Sequence, residues 1–259
     1  MIAVATSGQV AGVCFDVAGT GLPVTVFAHG LGGSSSEVRP LATRAQGTRV
    51  LLSFRGHGES DTLPRGWDYD LLAQDVLAVA DHVGATRAVG LSLGSGALLR
   101  LLSTRPDRFD RLGFVLPAAI DATRSDGATA RLEHLGAAID RGDEPAVTAL
   151  LLAELPEASR GRRGAALLLA RRAEQLVRRP APTAQRADRP LLDRSVLAQI
   201  AAPALVVGQA ADPLHPLDLA AELAQALPNA QLLSLPEGGV FWTAARQTQQ
   251  AIADHLEIP

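Results

Sequence analysis

Residues 90–94 read Gly-Leu-Ser-Leu-Gly and carry the clearest chemistry in the sequence. They join an apolar run at 88–91, typical of a short buried strand, to a segment at 92–103 that has helical spacing. A G-x-S-x-G at such a turn holds a serine hydroxyl above the sheet edge, with glycines where a side chain would collide. Serine needs a nearby base, usually a histidine that a carboxylate orients. Ser92 is therefore the candidate nucleophile.

Composition limits the class of protein. With 259 residues, 47% hydrophobic and 20% charged, the chain fits one large α/β domain. A net charge of −3 argues against nucleic-acid binding. No run approaches the roughly 18 apolar residues that a membrane span needs, and the start lacks a signal-peptide pattern. Cys14 is the single cysteine, which excludes an intramolecular disulfide and favours a cytoplasmic location.

The basic residues exclude several cofactor enzymes. All 24 are arginines, and the sequence contains no lysine. Schiff-base chemistry, pyridoxal phosphate enzymes and P-loop phosphate transfer all need a lysine. The glycines at 90, 94 and 96 also fit a short-chain dehydrogenase pattern, but that pattern belongs near the N-terminus and needs a catalytic lysine. We expect no cofactor, and the scattered histidines predict no metal site.

The order of elements predicts an α/β fold with a mostly parallel central sheet and helices on both faces. Strands are predicted at 13–17, 24–28, 50–53, 88–91, 112–116, 205–208 and 231–235. Helices are predicted at 36–45, 69–83, 92–103, 217–227 and 243–256. The first two strands precede any helix, so we expect them to form an antiparallel hairpin at the sheet edge.

Strand signals vanish between residues 121 and 195, where the sequence is rich in Ala, Leu and Arg. Helical spacing is present at 130–141, 145–155 and 164–178. We interpret 121–195 as a helical lid, or cap, inserted into a core made of 1–120 and 196–259.

Four motifs in register with the predicted strands make the chain resemble the α/β-hydrolase superfamily over nearly its full length. They are His-Gly-Leu-Gly-Gly at 29–33, Ser-Phe-Arg-Gly-His-Gly-Glu-Ser at 53–60, the serine turn at 90–94, and the segment 206–216 that ends a strand with an aspartate. The second is similar to a motif of esterases and lactonases. The resemblance implies the α/β-hydrolase fold and a serine hydrolase acting on a small carbonyl substrate.

The resemblance also assigns the site residues. Ser92 becomes the nucleophile, Asp212 the acid that orients a histidine, and the backbone amides of Leu31 and Leu93 the oxyanion hole. The base of such families follows the last strand, often in a Gly-Gly-His turn. Here Val240 follows Gly-Gly, so the triad lacks a histidine at the usual place. In the serine protease subtilisin, removal of the triad histidine lowers kcat by about 10⁶-fold.

Another histidine could act as a displaced base. We take His57 as the candidate, against the simpler interpretation that it structures its loop. His215 follows Asp212 by three residues, and we expect a structural role for it. Three other hypotheses stay open. They are a non-hydrolytic enzyme on the same fold (cyclase, lyase or dehydratase), a catalytically inactive binding protein, and a chain in which Val240 replaces the original histidine.

The segment 160–194 holds ten arginines and three acidic residues. Such a segment is usually a solvated helical face. Alternatively, a basic rim over the site could attract an anionic substrate or a carrier protein. We expect a small-molecule substrate and no nucleic-acid or membrane partner.

Overall fold

A computed structural model describes residues 6–64, 67–123, 126–155, 157–161, 163–178, 180 and 188–257. Its eight-stranded sheet has the order β1-β2-β4-β3-β5-β6-β7-β8. The strands are β1 Thr6–Val10, β2 Val13–Ala18, β3 Val24–Ala28, β4 Thr48–Ser53, β5 Arg87–Leu91, β6 Arg111–Val115, β7 Ala204–Gln209 and β8 Ala230–Leu235. The pairs β1–β2 and β2–β4 are antiparallel, and all other neighbours are parallel. The predicted mostly parallel sheet is confirmed.

Helices connect the strands and form the insertion. The helices are α1 Ser35–Val38, α2 Tyr69–Val83, α3 Leu93–Leu102, α4 Asp126–Asp140, α5 Glu144–Ala153, α6 Glu157–Arg160, α7 Arg163–Arg178, α8 Leu217–Ala226 and α9 Ala245–Glu257. The α2 bounds match the sequence prediction. Its first turn is capped by Asp68, whose carboxylate accepts from Leu71 N, and it ends at Gly84 in the left-handed region.

The predicted edge hairpin is corrected. β2 and β3 are not partners, because β2 pairs with β1 and β4, and β3 lies between β4 and β5. The hairpin is β1–β2, closed by Ala11 and Gly12 at positive φ, a turn that matches the twist of the strands. β1 was missed since its residues are largely exposed and give little apolar signal.

Alternate residues of the central strands face opposite sides of the sheet. On β3, Val26 and Ala28 join a core with α2, α3 and α8, whereas Phe27 joins a core with α1 and α9. This alternation is the period of two of a strand that is buried on both faces. Helices on both faces, as predicted, are therefore confirmed.

The helices α4 to α7 lie between β6 and β7 in the chain, and α4, α5 and α7 share a separate apolar core. Val147 of α5 and Ala173 of α7 are fully buried in it. These helices are called the helical insertion below, and the lid bounds 121–195 stay a prediction. Among the described residues, none of the helices has the length and apolar character needed to cross a membrane.

Close packing at the start of α3 generates a test of this fold. A methyl group on Gly94 would collide with the backbone carbonyl of Ala28 on β3. Gly94→Ala should therefore lower the free energy of unfolding by about 1–3 kcal/mol, because neither backbone can move freely. Urea denaturation followed by circular dichroism measures the change.

Gly127 supplies the matched control, since nothing lies within 4 Å of a methyl group placed on it in α4. Gly127→Ala should be neutral or stabilising by up to about 1 kcal/mol. Equal effects of the two substitutions would contradict the tight contact between α3 and β3.

Candidate active site

Ser92 occupies a strained turn between the end of β5 and the start of α3. Its φ of 49° and ψ of −102° lie in a region that residues with a side chain rarely adopt. The turn is held by the Ser92 N–H, which donates to Val115 O at 2.9 Å, and by Ser95 Oγ, which donates to Gly90 O at 2.7 Å. The strained strand-to-helix turn that the motif predicts is present. It fixes the direction of the Ser92 side chain.

The Ser92 hydroxyl is hydrogen-bonded to His215. Ser92 Oγ and His215 Nε2 are 2.8 Å apart, and His215 Nδ1 lies 3.0 Å from Asp212 Oδ2. A carboxylate only accepts hydrogen bonds, so Nδ1 carries the proton and Nε2 offers a lone pair to the serine hydroxyl. Serine, imidazole and carboxylate therefore form one continuous chain of hydrogen bonds.

The loop after β7 supplies both the carboxylate and the imidazole. Asp212 Oδ1 accepts from Leu214 N at 2.9 Å and from His215 N at 3.0 Å. Gln209 Nε2 donates to the other oxygen, Oδ2, at 2.7 Å. Burial works against the charge of Asp212, but the hydrogen bonds from His215, Gln209 and Leu214 outweigh it and hold the pKa of Asp212 below its usual range. The carboxylate is thus ionised and fixed in direction.

Val240 holds the position where the sequence resemblance leads us to expect the base. Its side chain is 1% exposed and packs in the apolar core that includes Leu235 and Ile252. Its backbone N–H donates to Gln209 Oε1 at 3.2 Å. Gln209 therefore connects the turn at Val240 to the Asp212 carboxylate.

His57 does not make the contact expected of a displaced base. Its Nε2 accepts from Gly32 N at 3.2 Å, so its Nδ1 carries the proton and donates to Arg55 O at 3.1 Å. Both ring nitrogens are occupied by backbone groups, and the hydrogen bond to Ser92 comes from His215 instead. The geometry therefore supports the loop-structuring interpretation of His57 and does not support its role as the base.

His29 supports the same loops from within the core. Its Nε2 accepts from Phe54 N at 3.0 Å and its Nδ1 donates to Gly30 O at 2.6 Å. Its ring lies 4.9 Å from the His57 ring, measured between centroids. Burial, followed by the neighbouring His57, lowers the pKa of His29 well below its usual value, and burial also lowers the pKa of His57. Both imidazoles are neutral.

The two amides expected to form the oxyanion hole lie on segments that contact each other. Leu93 is the first residue of α3, where a backbone N–H has no partner within the helix. Leu31 lies in the loop after β3, and this loop is joined to α3 by Gly94 N, which donates to His29 O at 3.1 Å. The oxyanion-hole role of Leu31 and Leu93 remains a proposal.

The helical insertion packs onto this loop. Arg172 Nη1 of α7 donates to Glu37 Oε1 at 2.5 Å, and Glu37 Oε2 accepts from Gly30 N at 2.9 Å. A methyl group on Gly32 would lie 3.0 Å from Leu176 Cδ2, also on α7. The insertion therefore packs against the loop after β3, which carries Leu31.

Several arginines of segment 160–194 have partners in the described residues. The pairs are Arg160 with the carbonyls of Leu155 and Ala153, Arg172 with Glu37, Arg178 with Glu174, Arg189 with Asp121 O, and Arg194 with Asp121 and Glu222. Arg162, Arg179 and Arg186 lie outside the described residues. Attraction of an anionic substrate or a carrier protein by this segment stays a prediction.

The sequence predicted site roles for Ser92 and Asp212 and a structural role for His215, and the structure joins all three side chains by hydrogen bonds. The available signal for His215 was its position three residues after Asp212, on a loop that starts at the carboxyl end of a strand. Gln209 and Glu37 were also missed as site residues, because their partners are remote in the sequence or belong to the backbone. Among the described residues, no group of three or more metal-ligating side chains is present.

The two neutral histidines generate a prediction on stability. Their pKa values are lowered on folding, whereas in the unfolded chain they titrate near 6.5. Below about pH 6.5 the unfolded chain therefore binds protons that the folded chain does not. The free energy of unfolding should fall with acid, by up to about 1.4 kcal/mol per pH unit for each such histidine.

Urea titrations at pH 7.5 and 5.5 measure this slope. His57→Gln keeps an acceptor for Gly32 N–H without a titrating ring, so the loss on acidification should be smaller than in the parent chain. His134→Gln, on an exposed part of α4, is the control and should keep the full loss. A slope that His57→Gln leaves unchanged would contradict a neutral, buried His57.

Comparison with known proteins gives independent evidence of the family to which the chain belongs. The model of the "Alpha/beta hydrolase family" matches residues 25–254. A putative carbamate hydrolase RutD from Caulobacter sp. (strain K31) is 30% identical over 253 residues, which cover 92% of this chain and 92% of that protein. A putative carbamate hydrolase RutD from Caulobacter segnis is 37% identical over 116 residues, covering 41% of this chain and 43% of that protein's length.

A solved structure shows the same fold. The enol-lactonase from Burkholderia xenovorans LB400 superposes with a TM-score of 0.81 at 20% sequence identity, over 98% of this chain and 100% of that one. At this identity the likeness concerns the fold. The family match covers most of the chain and includes the serine turn and the loop after β7. The chain is therefore an enzyme of the alpha/beta hydrolase family.

Proposed function

We propose that this enzyme is a serine hydrolase acting on a small ester or lactone, with Ser92 as nucleophile, His215 as base and Asp212 as the group that orients the base. The single observation that carries the proposal is the 2.8 Å hydrogen bond between Ser92 Oγ and His215 Nε2. The base thus comes from the loop after β7, three residues beyond the acid, and not from the position of Val240.

The reaction follows from this geometry in two halves. Ser92 Oγ attacks the substrate carbonyl carbon while its proton passes to His215 Nε2, and the negative charge collects on the carbonyl oxygen. The N–H groups of Leu31 and Leu93 would stabilise that oxygen, each worth about 10²–10³ in rate. His215 then gives the proton to the leaving alcohol oxygen as the C–O bond breaks. Water, activated by the same nitrogen, hydrolyses the acyl-enzyme and restores Ser92.

The electrostatics support His215 in this role. Its Nδ1–H donates to an ionised carboxylate, which stabilises the imidazolium formed during attack. His57 lacks a carboxylate partner of this kind, since its Nδ1 donates to the carbonyl of Arg55. The hypotheses of an inactive binding protein and of a histidine replaced by Val240 both depended on a missing base, and His215 removes that reason.

The substrate class is drawn from the resemblance and the relatives. The motif at 53–60, which is similar to one of esterases and lactonases, favours ester and lactone substrates. The name of the Caulobacter sp. relative, which spans nearly all of this chain, suggests carbamates as a second carbonyl class to assay. We also propose that the helical insertion acts as a lid, because α7 contacts the loop that carries Leu31. A cytoplasmic location stays a prediction.

Removal of each candidate base tests the proposal. His215→Ala should lower kcat for p-nitrophenyl acetate by about 10³-fold or more, close to the loss for Ser92→Ala, because the two residues act as one unit. His57→Ala should lower kcat by about tenfold at most, since His57 supports a loop through Gly32 N–H. Steady-state kinetics at pH 8 measure both effects.

Circular dichroism and thermal melting confirm that each variant is folded, and a p-nitrophenyl carbamate replaces the acetate in a parallel series. Full loss in His57→Ala with near-normal turnover in His215→Ala would overturn the assignment and return the base to His57. Turnover that is unaffected by Ser92→Ala would overturn the serine mechanism itself.

Val240→His gives a second test. With His215 already serving Ser92, a histidine at position 240 should bring no gain in kcat. It should also destabilise the chain by about 1–3 kcal/mol, because an imidazole would replace a side chain that is 1% exposed in an apolar core. Kinetics and urea denaturation measure the two effects. A tenfold or greater rise in kcat would show that the usual position still controls the base.

A further inference from the structure

A carboxylate lies against the loop that is proposed to hold the oxyanion. Glu37 has a side chain only 14% exposed, and its Oε2 accepts from Gly30 N at 2.9 Å. Gly30 immediately precedes Leu31, and a methyl group on it would lie 3.3 Å from Glu37 Oε2 and 3.5 Å from Ser92 Cβ. Glu37 and the nucleophile therefore both border Gly30.

A negative charge at this place has two opposite effects. It fixes the Gly30 N–H, and so the course of the chain into Leu31, by a charge-assisted hydrogen bond. It also repels the negative charge that develops on the substrate oxygen, since the Coulomb interaction between like charges is strong in a partly buried site. The carboxylate helps the reaction only if a cation neutralises it.

Arg172 of the helical insertion supplies that cation. Its Nη1 donates to Glu37 Oε1 at 2.5 Å, while the other Glu37 oxygen holds Gly30. One helical turn further along α7, Leu176 contacts Gly32. Gly30 and Gly32 flank Leu31 in the sequence. The helix α7 therefore acts on one of them through Glu37 and packs against the other directly.

We propose that the Arg172–Glu37 pair couples the docking of α7 to the oxyanion hole. Glu37 is a positioning residue for the loop that carries Leu31 N–H, and Arg172 cancels its charge only while α7 is docked. When α7 moves away, the uncompensated carboxylate disfavours the transition state. This inference rests on the proposed function, and it makes the insertion a lid that switches on the site when it closes.

Charge neutralisation predicts a specific pattern in a double-mutant cycle. Arg172→Gln should lower kcat for p-nitrophenyl acetate about tenfold, with KM changed by less than about twofold, because the charge acts on the transition state. Glu37→Gln alone should stay within about threefold, since its amide oxygen still accepts from Gly30 N–H. Glu37→Gln combined with Arg172→Gln should recover most of the loss.

Two further variants separate charge from general damage to α7. Arg172→Lys keeps the cation and should retain more turnover than Arg172→Gln. Arg171→Gln removes the adjacent exposed arginine and should leave kcat unchanged. A double variant as slow as Arg172→Gln, or slower by the product of the single effects, would overturn the inference.

Hydrogen exchange gives a readout that does not depend on turnover. Arg172→Gln should increase exchange of the amides at 30–33 by about tenfold together with those of α7, whereas Arg171→Gln should increase neither. Unchanged exchange at 30–33 in Arg172→Gln would overturn the coupling even if the triad is correct. If the parent chain shows no turnover that depends on Ser92, the proposed function is wrong. The exchange experiment would still decide whether α7 and the loop are coupled.

Discussion

The strained turn at Ser92 is the constraint around which the other parts of the site are arranged. A residue other than glycine is strained in the conformation of Ser92, and it keeps that conformation only when the surrounding structure stabilises it. Here Gly90 and Gly94 allow β5, α3 and β3 to approach so closely that a methyl group on either glycine would collide with backbone. Since β5 lies between β3 and β6, the turn meets the loop after β3 directly, through Gly94 N and His29 O.

The loop after β7 brings Asp212 and His215 together because Asp212 organises its own turn. One carboxylate oxygen accepts two backbone N–H groups of the loop, which directs the other oxygen toward His215 Nδ1. The same bonds set the backbone that carries the imidazole. Gln209 then joins the Asp212 carboxylate to the backbone N–H of Val240, so its amide has a partner at both ends.

Three polar side chains near the loop after β3 have residue types common in catalysis, but in the structure they hold backbone groups. His29 and His57 are neutral, and each accepts a hydrogen bond from the backbone N–H of a loop, Phe54 N for His29 and Gly32 N for His57. Glu37 does the same for Gly30 and also meets a cation from the helical insertion. Buried loops need such partners, because an unpaired backbone group away from water is costly.

The sequence by itself determined the fold family, and it predicted the nucleophile and the acid that we propose. Strand and helix periods are local, and the serine turn and Asp212 stand at strand ends, where their roles follow from short motifs. The edge hairpin was misassigned because β1 is polar and exposed, and pairing between strands is a non-local choice. Only the tertiary structure decided which histidine contacts Ser92. His57 and His215 are 158 residues apart, and which imidazole reaches Ser92 depends on how the loops after β4 and β7 lie relative to the turn after β5.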